Sequence, residues 1–397
     1  MIFRNYSDWL FSLLLLQFMF GNFACTQKGK DIQEKEGLPE SKIISLTIVD
    51  SIQISFLGYP WVADISPIQQ RIVFMDQKEY SEDIFVADFE GNILLSFSKF
   101  GDMPDNHGGI RAPVYISGQD SLLMYGNRGY LTFNMEGKLI SLVKPKNFTN
   151  HSFAFFGMGR SFEKFENKLL YFDQGSRNED YSQISLYDDL RVLNWHIPAS
   201  GEKVNFNALP DESIFKSGKH FFRHSWWPAF TISDGLIYAV YGIEPTIYTF
   251  DVKEPHHLIN SIPLNLKDYE LFPGLNEFTD DFRKLGLGFE WGKVENIKRL
   301  GDYFLISYFS GYDTKDRDFN WENKTQEEAI AFRELMLKKY PKRIQVTDLD
   351  GNQLLDFAPD HYHPETMLLR DGQLWVMAKS DPDVEEEFFK VYRLALE

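Results

Sequence analysis

The chain holds one cysteine, Cys25, among its 397 residues. A disulfide within the chain and a metal site built from cysteines are thereby excluded. Basic residues are also scarce: 41 Lys and Arg face 58 Asp and Glu, for a formal charge of −17. Bulk charge therefore offers nothing to DNA, RNA or anionic headgroups, and nucleic acid is not an expected partner. Long apolar runs are missing after the first residues, so no second segment approaches membrane-spanning length. No Gly-x-Ser-x-Gly elbow, phosphate loop or dinucleotide fingerprint occurs in a strand-to-helix setting, and no cofactor is implied. The carboxylate pairs Asp188–Asp189 and Asp280–Asp281 are too generic to assign acid and base roles. What the chain does have is aromatic rings, 16% of residues, which suit a pleated sheet better than a helix.

The stretch WLFSLLLLQFMF, residues 9–20, is too short for an ordinary spanning helix and has the length of a signal-peptide core. It is followed by GNFACTQKGKDIQEKEG, a small residue before Cys25 and then a polar tract, which resembles a bacterial lipoprotein signal. That resemblance implies export to the cell envelope, cleavage before Cys25, and a membrane anchor through its lipidated thiol. Residues 26–41 are charged and aperiodic, and read as a flexible tether to a single domain over 42–397.

Within that domain one phrase recurs. DIFVADFEGNILLSF (83–97) returns as GYLTFNMEGKLISLV (129–143) and as RIQVTDLDGNQLLDF (343–357). Two apolar runs around an acidic-Gly turn read as a β-hairpin. Each hairpin is preceded by two further strands, as in WVADIS and QRIVFMD before the first, and the unit repeats at about 45 residues, which is the arithmetic of a propeller. Six copies follow, the last lacking its outer strand. KIISLTIV (42–49) precedes the first copy and supplies the missing strand. The expected fold is all-β: a six-bladed β-propeller with four-stranded blades, its ring closed by an N-terminal strand. Blade five carries an insertion, about 310–341, in which TQEEAIAFRELMLKKY reads as an amphipathic helix with Ala329, Ile330, Phe332, Leu335 and Met336 on its apolar side.

This layout resembles the six-bladed propeller lipoproteins of Gram-negative bacteria, and most of all a family known only as domain of unknown function 4221. The likeness spans leader, tether and repeats. Relatives often carry Gly-x-Gly-Pro-Gly-Glu after an outer strand; in FGDMPDNHGG here, Gly101 and Pro104 match while Met103, Asp105 and Asn106 depart. The family implies a fold and an envelope location and supplies no activity.

In a propeller the connections between blades emerge on one face, around the mouth of the central channel. Those connections carry Tyr59 and Trp61, then His107 and Arg111, then His151 and Arg160. The fourth, KSGKHFFRHSWWPAF, holds Lys219, His220, Arg223, His224, Trp226 and Trp227. The fifth holds Arg283, Lys284 and Trp291, and the sixth, DHYHPE, holds His361 and His363. Rings that stack and donors that bind carboxylate or sulfate make this a candidate pocket. The same side chains also suit a channel filling. His361-x-His363 beside Asp360 has ligand-like alternation if another blade supplies a third donor, such as His107 or His224. Asp316, Asp318, Asn320 and Glu322 alternate like a calcium loop but lack its turn glycine. The expectation is a non-enzymatic binding module for a small molecule, glycan or protein, acting through the loop-lined mouth. Two alternatives stand beside it: an enzyme acting on an anionic polysaccharide or peptide at the same mouth, and a scaffold contacting a partner through the 310–341 helix.

Overall fold

The computed structural model describes residues 44–76, 83–146, 157–172, 180, 182–279, 290–318, 324–381, 384 and 386–397. The leader, Cys25, the tether and His151 lie outside them. The described chain forms six antiparallel four-stranded sheets. Strand β1 is Leu46–Ser55. Blade 1 is Pro60–Ser66, Arg71–Asp76, Asp83–Asp88 and Ile93–Ser98 (β2–β5), and blade 2 is Ile110–Ser117, Ser121–Gly126, Gly129–Asn134 and Leu139–Val143 (β6–β9). Blade 3 is Phe162–Phe165, Lys168–Phe172, Leu193–Ile197 and Glu202–Asn205 (β10–β13), and blade 4 is Pro228–Ser233, Leu236–Tyr241, Thr246–Asp251 and Leu258–Pro263 (β14–β17). Blade 5 is Trp291–Leu300, Tyr303–Gly311, Arg343–Asp348 and Gln353–Phe357 (β18–β21). Blade 6 takes Leu368–Arg370, Gln373–Met377 and Phe388–Leu396 (β22–β24), and β1 is its fourth strand.

Ring closure is therefore as the repeat count requires, but the closing strand sits further along than 42–49. Leu46 pairs with Leu396 and Ser55 with Phe388. The later register is set by burial: Ile52 and Ile54 alternate inward beside Val391 and Trp375, whereas Ile48 and Val49 stay exposed.

The repeated phrase is a turn with a specific cap. Asp88 Oδ1 accepts the Asn92 N–H at 2.8 Å, and Asp348 Oδ1 accepts the Asn352 N–H at the same distance. Asn134 does the same for Lys138. The intervening glycine has positive φ in all three, 87° at Gly91, 72° at Gly137 and 87° at Gly351. Gly91 is required twice over, since a Cβ there would collide with the Gln53 carbonyl of β1.

Middle strands read as continuous buried runs, as in β3 and β15, because each is covered on both faces by neighbouring blades. Outer strands such as β5 and β17 are mostly exposed. The inner strands β2, β6, β10, β14, β18 and β22 line the axis. Neighbours among them touch around the ring, and blades 2 and 3 meet through Tyr115, Tyr130, Phe162 and Tyr171.

The insertion contains two helices after a short one in blade 3 (α1, Leu186–Asp189): α2, Thr314–Arg317, and α3, Gln326–Lys339. Thr325 and Glu328 form a reciprocal capping box that starts α3. Of the five apolar residues expected on its inner side, Met336 is buried, while Ile330 is 51% and Leu335 58% exposed. The helix rests on a narrow stripe at its C-terminal end. Asp316 is held there by Lys339 and by the Tyr340 hydroxyl at 2.6 Å. That carboxylate is thus occupied internally, and Asn320 and Glu322 lie outside the described residues.

Candidate functional site

Strands alternate in direction, so the connection into each blade and the turn between its second and third strands open on the same face. The insertion between β19 and β20 therefore shares the mouth with the connections singled out in the sequence.

Beneath the mouth the axis is sealed by charge. Asp64 on β2, Glu163 on β10, Lys298 on β18 and Arg370 on β22 converge from four blades. Lys298 Nζ lies 2.6 Å from Glu163 Oε1 and donates to the Gly159 carbonyl at 2.8 Å. Arg370 Nε donates to Asp64 Oδ1 at 3.0 Å, and its Nη1 is 3.6 Å from Glu163. Burial raises the Asp64 pKa against the pull of Arg370 and lowers that of Lys298 against the pull of Glu163. The sequence carried a signal for this network, charges inside otherwise apolar inner strands, but no spacing that paired them.

Above the seal, the turn at 157–161 crosses from blade 3 to blade 6. Gly159 has φ 73° and approaches the Met367 carbonyl so closely that a Cβ would collide with it. Met158 is buried beside Val62, Leu368 and Trp375. The mouth is thereby divided, and the predicted residues separate into different environments.

Three of them meet at the seam of blades 6 and 1. Trp61, His361 and His363 line a cleft of about 900 Å³, joined by Tyr59, Asp360, Glu365 and Lys379. Residues 361–363 pair with the end of β23: the His363 N–H donates to the Met377 carbonyl and the Lys379 N–H to the His361 carbonyl, both at 2.9 Å. The two-residue period of that pairing turns Tyr362 into the core and both histidines outward. His363 Nδ1 lies 3.8 Å from Glu365 Oε1. Burial lowers the His363 pKa, with Glu365 opposing.

The others lie elsewhere. His107 is wholly buried and its Nδ1 accepts the Gly109 N–H at 3.0 Å, which fixes a turn. Its burial holds the ring at a pKa of about 4. Arg111 donates to Asn127. Trp226 is 1% exposed, packed edge-on against Tyr187, so it belongs to the core of blades 3 and 4. His220 is bridged to Leu275 by backbone pairing. His224 stacks on Phe222 and meets the edge of Trp227 at 5.9 Å. Arg223 is half-buried in the same loop. Lys293 stands over the Trp227 ring at 4.5 Å and donates to the His224 carbonyl. Burial, with Arg160 nearby, brings the Lys293 pKa down to about 7. Trp291 is covered by the Arg317 guanidinium at 4.0 Å from its centroid. Among the described residues no three His, Cys, Asp or Glu side chains converge as a metal ion requires.

Sequence reading missed a second cavity beside the cleft. It measures about 420 Å³ and lies between the end of α3 and the approach to blade 6. At its base Lys342 Nζ bridges Glu295 at 2.7 Å and Glu365 at 2.8 Å. Burial disfavours the Glu295 carboxylate, yet Lys342, Arg160 and Lys293 outweigh it and hold its pKa low. Lys342 sits just past Pro341, at the end of the insertion, where no motif marks it.

No protein-family profile matches the chain, and no curated protein matches it in sequence. Solved structures do match in fold. A member of the DUF4221 family from Bacteroides vulgatus aligns with TM-score 0.64 at 11% identity, over 90% of this chain and 99% of that one. A protein from Bacteroides fragilis described as exported aligns with TM-score 0.50 at 8% identity, over 91% of this chain and 97% of that one. The chain is a six-bladed β-propeller, and the resemblance to the DUF4221 family is matched by a shared fold.

Proposed function

We propose that the protein is an exported, envelope-anchored propeller that binds a ligand in the cleft between blades 6 and 1. One observation carries this reading. Two connections distant in sequence bring an aromatic wall, Tyr59 and Trp61, against the polar edge of His361 and His363 around about 900 Å³, within the usual range of ligand sites, about 300–1,000 Å³. The lipoprotein-like leader and the exported neighbour of the same fold support the location.

The test is a thermal-shift screen of the chain from residue 26 against sugars, uronates, peptides and divalent metals. A ligand that binds the native state raises the melting temperature by mass action. The expected result is a shift lost in Trp61→Ala and in His363→Ala. A shift that survives both substitutions would place the site elsewhere and sink the proposal.

A second reading has its own observation. On α3, Ile330, Leu335 and Leu337 are 51%, 58% and 62% exposed. A scaffold that meets a partner there loses association when the 310–341 insertion is shortened to a turn between Gly311 and Lys342, whereas blocking the cleft leaves it intact.

A further inference from the structure

The two cavities at the mouth share a wall. His363, Glu365 and Lys379 line both of them. On the far side of the wall the smaller cavity is largely apolar, closed by Phe309, Tyr312, Met336, Leu337, Tyr340 and Pro364. On the near side the larger cleft is acidic: Asp360, Glu365, Asp381 and Glu386 face it, against Lys379 and Lys390. A mouth that concentrates anions, as its His and Arg content suggested, is not what this cleft presents.

Glu365 is the pivot. Its Oε1 accepts from Lys342 at 2.8 Å. Its Oε2 is buried, and among the described residues no donor reaches it. Lys342 is also shared with Glu295, which Arg160 and Lys293 approach as well, so the excess of negative charge lies in the cleft lining and not in this pair. Lys379, one of the two lysines in the cleft, donates to the Pro359 carbonyl at 2.7 Å. Desolvation lowers the His363 pKa, with Glu365 opposing. A buried acceptor without a donor is costly, and a ligand donor removes that cost. The Trp61 ring in the same cleft favours a cation further.

We infer that the ligand is an amphipathic ammonium compound, with its charged nitrogen in the acidic cleft at Glu365 and its apolar body in the 420 Å³ pocket beneath α3. An amine-bearing lipid fragment and a peptide with an N-terminal apolar residue share this chemistry. The inference rests on the cleft being the binding site, and adds the charge and polarity of what enters it.

Three probes with one tail separate the terms: n-hexylammonium, hexanol and hexanoate, titrated calorimetrically into the full chain in neutral detergent. Hexylammonium is expected to bind most tightly and hexanoate least, with affinity falling as salt is raised. Glu365→Gln is expected to weaken hexylammonium about tenfold, the loss of one charge-assisted hydrogen bond, and to weaken hexanol, a neutral donor, by less. Because Glu365 also holds Lys342, Asp360→Asn serves as a second variant at an exposed carboxylate, with a smaller loss in the same direction. Leu337→Asp should weaken hexylammonium and hexanol alike. Hexanoate binding as well as hexylammonium, or hexylammonium indifferent to both carboxylate variants, would overturn the inference while leaving the cleft a binding site for another class. A panel in which sugars, peptides and all three probes fail to bind would overturn both.

Discussion

Acidification should unfold this protein partly through His107, and the size of the effect follows from its burial. The ring is fully excluded from solvent, and Nδ1 accepts the Gly109 N–H at 3.0 Å, so that nitrogen carries no proton in the native state. Protonation would set an N–H against an N–H and place a charge in an apolar site. The pKa falls from 6.5 to about 4. Between those values the unfolded chain binds the proton and the folded chain does not, so stability rises with pH across the window and is lost on acidification. At about 1.4 kcal/mol per pH unit, the loss attributable to His107 between pH 6.5 and 4 is about 3 kcal/mol. Urea denaturation at half-unit steps from pH 7 to pH 4 measures it, with His107→Asn as the reference. That side chain offers an oxygen to the Gly109 N–H and does not titrate in this range. All other titrating groups are common to both proteins and cancel in the difference. Wild type should therefore lose about 3 kcal/mol more than the variant on acidification. Parallel pH profiles for the two proteins would refute the argument.

Further outcomes follow from the axis and the core. Arg370→Ala leaves Asp64 and part of Glu163 buried without their cation, and should cost about 3–5 kcal/mol in urea unfolding. Replacing Glu163 and Lys298 together by Gln and Met should cost far less than Lys298→Met alone, a non-additivity that a double-mutant cycle reads directly. Gly159→Ala combines positive φ with a collision at the Met367 carbonyl, and should destabilise by about 2 kcal/mol or more, visible as a lower urea midpoint. Trp226→Ala should cost about 3–5 kcal/mol with ligand affinity kept, whereas Trp61→Ala should show the reverse pattern in paired melting and binding measurements.

The architecture is legible in the residue pattern. Hairpin phrases with Asp or Asn four residues before the capped N–H, and glycine where φ is positive, mark the turn into the outer strand in blades 1, 2 and 5, and the four-strand period they set, followed through the looser copies, gives six blades and a borrowed strand. Local chemistry of that kind is written in neighbouring residues. His361 and His363 were legible for the same reason, since a two-residue period turns both outward whatever they face. Register and site were decided by tertiary structure. Where β1 closes the ring depended on which of its apolar residues found the core between blades 6 and 1. His107 and Trp226 looked like ligand residues because they sit in connections, and only packing shows one fixing a turn and the other filling the core. Asp64, Glu163, Lys298 and Arg370 pair across four blades, and Glu295, Lys342 and Glu365 across two, at separations no motif encodes. A ring brings distant inner strands to one axis, so the electrostatics of the seal and the sign of charge in the cleft are properties of the closed propeller rather than of any repeat.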